Sequence, residues 1–170
     1  MQTPSKGAPA ASSKYVRLYL EHHIVGSSGA LDLFRRSART HLSAHAREVL
    51  ARIGAEVEAE RSDLHAIAST IGARHVRALE VAASVGERIG RLKLNGALLR
   101  RSPLSDLVEV ETLLLGVTGK LRLWTALLTL AATDNRLDQT QLQRLAEQAE
   151  NQLEALQHLH DTAAAALPNG

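Results

Sequence analysis

The stretch Leu50-Ala-Arg-Ile-Gly-Ala-Glu-Val-Glu-Ala-Glu-Arg-Ser-Asp-Leu-His-Ala-Ile-Ala-Ser-Thr-Ile71 decides the fold class. Leu50, Ile53, Val57, Leu64, Ile67 and Ile71 recur at three- and four-residue steps, the period of one face of an α-helix. The seam is heptad-like, and Glu60 stands in it where a leucine would fit. A carboxylate on an inward seam must pair, hydrogen-bond, bind a metal or face a cavity, because a dry and isolated charge is costly.

The same period runs outward through the chain. Of the 170 residues, 45% are apolar but only 2% aromatic, so strand-forming runs are scarce and helix formers dominate. Five helical segments are predicted: Lys14 to Arg39, Ser43 to Ile71, Arg74 to Leu99, Pro103 to Ala132, and Asp138 to Ala166. Gly72 suits a helix C-terminus, Ser102 with Pro103 a helix start, and Asp138 with Gln141 a capping box. Short connections favour antiparallel neighbours, giving an all-α, up-down bundle of four long helices plus a fifth C-terminal one. Residues 1–13 read as a disordered tail and residues 14–167 as a single helical domain. The fourth segment is apolar nearly all round and is expected at the centre. The fifth, with one leucine stripe, should cover the fourth on the side away from the others.

Absence of cysteine excludes disulfides, thiolate metal sites and cysteine nucleophiles. The apolar run from Leu107 to Ala132 is broken by Glu109, Glu111, Lys120 and Arg122, which argues against a membrane span. A soluble cytoplasmic protein is expected.

At about 100° per residue, the first segment directs Val16, Leu20, His23, Ser27, Ala30, Phe34 and Ala38 inward. The fourth directs Leu104, Val108, Glu111, Leu115 and Thr118 inward, while Glu87 is inward only for one of two apolar faces of the third. In an up-down arrangement His23, Glu60 and Glu87 fall at similar heights, with Glu111 about one turn away. One histidine and three glutamates are raw material for an iron, manganese or zinc site. Carboxylate di-metal bundles use Glu-x-x-His twice, however, and the chain has no Glu-x-x-His. A buried Glu–His or Glu–Arg network explains the pattern without a cofactor. His41, His45 and Glu48 have a spacing that suits zinc but flank a predicted first turn, where polar surface groups are usual.

Net charge is only +2, unevenly spread. Arg88, Arg91, Lys93, Arg100 and Arg101 form a basic run, which suits either an anion or ion pairs with acids such as Glu109 or Glu111 on the next helix. Lys120 joins them as a candidate ion-pair or anion-binding group. Scarce aromatics disfavour nucleic-acid binding through base stacking. No nucleophile elbow or phosphate loop is present.

The stretch Gly86-Glu-Arg-Ile-Gly-Arg-Leu-Lys-Leu-Asn-Gly96, with Arg101-Ser-Pro-Leu-Ser-Asp-Leu-Val-Glu-Val-Glu111 and Gly116-Val-Thr-Gly-Lys120, resembles a family of small uncharacterised bacterial helical proteins. That resemblance implies a ferritin-like helical bundle and no particular activity. The expected role is a non-catalytic binding or interaction module with a polar interior, its partner a protein or a small ligand. An exposed apolar face would allow a homodimer. The alternatives are a metal-binding bundle with redox activity and an anion- or nucleic-acid-binding protein that uses the basic run.

Overall fold

Four helices make up most of the described residues, 9–73 and 102–167, of the computed structural model. They are α1 (Pro9–Thr40), α2 (Ala44–Ile71), α3 (Pro103–Ala131) and α4 (Gln139–Ala165). No strand occurs among the described residues. The third predicted segment, Arg74 to Leu99, lies outside them, and with it Glu87, Arg88, Arg91 and Lys93. The fourth and fifth predicted segments are therefore α3 and α4.

Local chemistry sets the helix ends. α1 begins at Pro9, inside the stretch expected to be a tail, and proline's fixed φ suits a first turn. Ser43 caps α2 by accepting a hydrogen bond from the Ala46 amide at 3.2 Å. Gly72 closes the same helix at φ +83°, a left-handed conformation open to glycine at little cost. Ser102 accepts from the Ser105 amide and places Pro103 in the first turn of α3. Asp138 accepts from the Thr140 and Gln141 amides. The reciprocal half of the expected capping box is spent elsewhere, since the Gln141 side chain donates to Asp63 on α2 at 3.1 Å.

One core runs through all four helices, with Leu20, Phe34, Leu50, Ile53, Leu113, Trp124, Leu127, Leu142 and Leu156 fully buried. α2 buries the seam from Leu50 to Ile71, Glu60 included. On α1 the buried line is turned slightly from the expected one, through Leu20, Ile24, Leu31, Phe34, Ser37 and the following His41. On α3 the difference is larger. Leu113, Val117, Trp124 and Leu127 face inward, whereas Leu104, Glu111, Leu115 and Thr118 are exposed, Leu115 by 75%. A helix that is apolar nearly all round offers no amphipathic direction from which to read its rotation.

α4 lies along α3 and also reaches α2, through Gln141, Arg144 and Gln152. It is therefore not confined to the far side of α3. By length and composition α3 would also suit a bilayer, a property shared with core helices of water-soluble folds. Its polar groups reach protein partners: Glu109 binds Ser37 and Arg36 on α1, Asp106 accepts from the Leu42 amide at 3.0 Å, and Lys120 binds Glu60.

α1 comes close to α2 at Gly54, where a Cβ would stand 3.2 Å from the Phe34 Cβ. Gly54→Val should therefore lower stability by about 1–3 kcal/mol through overpacking. A urea denaturation midpoint equal to that of the parent would show that Phe34 yields without strain.

Candidate functional site

Glu60, only 2% exposed, meets Lys120 from α3 and Gln152 from α4. Lys120 Nζ donates to Glu60 Oε2 and to Gln152 Oε1. Gln152 Nε2 donates to Glu60 Oε1 at 2.8 Å and to Glu56 Oε2 at 2.9 Å. Its amide is thus oriented with the carbonyl toward the cation and the NH2 between two carboxylates. Glu56 in turn accepts from Arg52 at 2.8 Å, so the cluster extends from the surface to the interior. Burial pushes the Lys120 ammonium below the usual lysine range, while the Glu60 and Glu56 carboxylates resist that shift.

Beside this cluster, α1, α2 and α3 line a partly open cavity of about 200 Å³. Phe34, Leu64, Leu123 and Trp124 supply apolar wall; Glu60, Lys120, His23 and Arg61 supply polar wall. Three glycines, Gly26 on α1 with Gly116 and Gly119 on α3, also line it. A Cβ added at Gly26 or Gly119 would meet nothing within 4 Å. Space is present here because side chains are missing from both helices. Trp124 is 1% exposed, and its indole Nε1 is buried with no hydrogen-bond partner among the described residues. Arg61 donates to the Ser27 and Ser28 hydroxyls at 3.0 and 3.1 Å.

His23 and Glu60 line the same cavity. His23 is half-buried at the flank of the α1 stripe, with its ring edge-on to Tyr19 at 4.7 Å. Burial, and then His22, lower its pKa. Glu111 is elsewhere: its side chain is 50% exposed and lies 3.2 Å from His160 Nε2. This corrects its inward placement, for the reason of helix rotation given above. Glu109, expected to meet the basic run, is buried on α1, accepting from Ser37 Oγ at 2.7 Å with Arg36 at 3.0 Å. The run residues Arg88, Arg91 and Lys93 lie outside the described residues, as does Glu87.

Among the described residues, no group of three or more His, Asp or Glu stands close enough to hold a metal ion. His41 is buried in the α1–α2 connection, its Nδ1 accepting from the Ser43 amide at 3.1 Å, near Asp106. His45 and Glu48 are exposed. No family model, curated protein or solved structure matches this chain. Function has to be read from the residues themselves.

Three contributors escape the sequence reading: Gln152, Arg61 and Ser37. Gln152 had a signal, since it stands seven residues from both Leu145 and Leu159 on the buried line of α4.

Removing one partner of a buried ion pair strands the other, whereas removing both does not. Glu60→Leu alone should cost about 3 kcal/mol, and adding Lys120→Met should recover most of it. Additive losses in a denaturant double-mutant cycle would refute the coupling. His23 gives a pH signature. Its folded pKa lies below the ordinary 6.5, so its contribution is complete above that value and is lost as pH falls through the folded pKa. His160, raised by Asp161 and Glu111, acts in the opposite sense. Thermal midpoints at neutral pH and at about pH 5 should therefore separate less in His23→Gln than in the parent; an equal or wider gap would contradict this assignment.

Proposed function

We propose that this protein is a non-catalytic helical binding module whose interior cavity takes a small ligand. One observation carries the reading: Trp124, whose indole N–H is buried with no partner among the described residues, lines a cavity that the Glu60–Lys120 ion pair also lines. An unsatisfied buried donor costs free energy, and a ligand acceptor that reached it as the Trp124 side chain adjusts would recover that cost. The charged groups of the cluster are already bonded to one another, with both Glu60 oxygens engaged. Such saturation suits a fixed wall better than a general base.

The helices are taken as an antiparallel, ferritin-like bundle. In support, Arg35 pairs with Glu58 and Ser27 with Arg61, so residue number falls along α1 as it rises along α2. A soluble, cytoplasmic protein is the setting in which a charged, bonded α3 makes sense.

The single tryptophan of the chain is Trp124, so its indole signal reports on the cavity directly. Benzyl alcohol should shift the Trp124 indole 1H–15N resonance saturably. Gly119→Leu should abolish the response while stabilising the fold by about 1 kcal/mol, since glycine is a poor helix residue. No shift in the parent, or an undiminished shift in Gly119→Leu, would overturn the reading.

A further inference from the structure

We infer that the cavity between α1, α2 and α3 selects a small monoanion, a carboxylate carried on a compact apolar body. This inference rests on the ligand-binding reading above and adds the ligand's chemistry.

Charge on the wall is the first ground. Glu60 is the one carboxylate among the described residues that line the cavity, and it is engaged by Lys120. Arg61 is a second cation there, held by the Ser27 and Ser28 hydroxyls, with no carboxylate within 4 Å among the described residues. His22 and His23 add no negative charge, and burial keeps His23 toward its neutral form. Among the described lining residues, Arg61 is thus a positive charge in excess of the Glu60–Lys120 pair, which a monoanion would balance. Among the described residues, a cation would find no unengaged carboxylate in the lining.

The second ground is the inventory of unused hydrogen-bonding groups. Lys120 has three N–H donors and spends two of them, on Glu60 and Gln152. The serine contacts occupy only part of the Arg61 fork, and the Trp124 N–H has no partner among the described residues. Donors therefore outnumber acceptors, and the ligand that matches them presents acceptor oxygens. A planar carboxylate is the shape that a guanidinium fork binds in bidentate fashion.

Size is the third ground. An apolar cavity of about 150 Å³ admits benzene, and this one is about 200 Å³. The difference accommodates a three-atom head group. Phe34, Leu123 and Trp124 provide the apolar wall for the body. Benzoate is thus a fitting probe of the class.

A charge series on one body separates this inference from the cavity reading. Benzoate, benzyl alcohol and benzylammonium are titrated against the parent protein, with the Trp124 indole resonance as readout. Benzoate should bind about tenfold more tightly than benzyl alcohol, as expected of a charge-assisted hydrogen bond, and benzylammonium more weakly than either. Arg61→Gln, whose fold is checked by its thermal midpoint, should remove the benzoate advantage and leave benzyl alcohol unchanged. Equal binding across the series overturns the anion preference while the cavity reading stands. Tighter binding of benzylammonium, or a benzoate advantage that survives Arg61→Gln, overturns it as well. No response to any probe overturns both.

Discussion

A charge pair inside the bundle constrains the rest of this structure. Glu60 and Lys120 are sixty residues apart in sequence, and their long side chains meet between the middle of α2 and the middle of α3, helices that otherwise pack on α1 and α4. A leucine seam tolerates sliding by a turn, because one leucine replaces another at little cost. A buried carboxylate does not, because any other register leaves it dry and alone. Gln152 extends the constraint to α4, since its amide is satisfied only where a cation and two carboxylates converge. Three helices are thereby fixed relative to one another by four polar side chains.

The cavity follows from the same arrangement. The pair must be reached by long side chains from two helices, and the glycines beside it leave the space that those side chains do not fill. Gly26 and Gly119 both line the cavity, and a side chain at either would begin in open space. Close packing is maintained elsewhere, as at Gly54 against Phe34. The open space next to the buried polar cluster is also lined by Trp124, whose indole N–H has no partner among the described residues.

Much of this was legible in the sequence, and the part that was not has a physical cause. The α2 seam declares its rotation because it is apolar on one side only, and its buried line runs from Leu50 through Glu60 to Ile71. On α3 hydrophobicity points in every direction, so the line through Leu113, Val117, Lys120 and Trp124 competed on equal terms with the one through Leu104, Glu111 and Leu115. Only a partner on another helix breaks that tie, and partners are a property of the tertiary structure. Gln152 lies on a readable heptad line but is uncharged, so its burial carries less of the cost that marks a buried acid. Arg61 directly follows Glu60, and its role depends on two serines of α1 that no helical period connects to it.

The two polar anchors of α3 lie at different heights. Asp106 and Glu109 are held by the end of α1 and its connection to α2, and Lys120 is held by Glu60. They are separated by roughly 16–21 Å at about 1.5 Å of rise per residue. Two fixed points on a rod determine both its axial position and its rotation, while one would leave it free to turn. The leucines around α3 are thereby relieved of any part in choosing its orientation and have only to fill volume. Evolution could exchange them freely for other apolar residues while the few polar anchors stayed in place. In such a lineage the core would drift faster than its buried charges, the reverse of the usual expectation for a helical bundle.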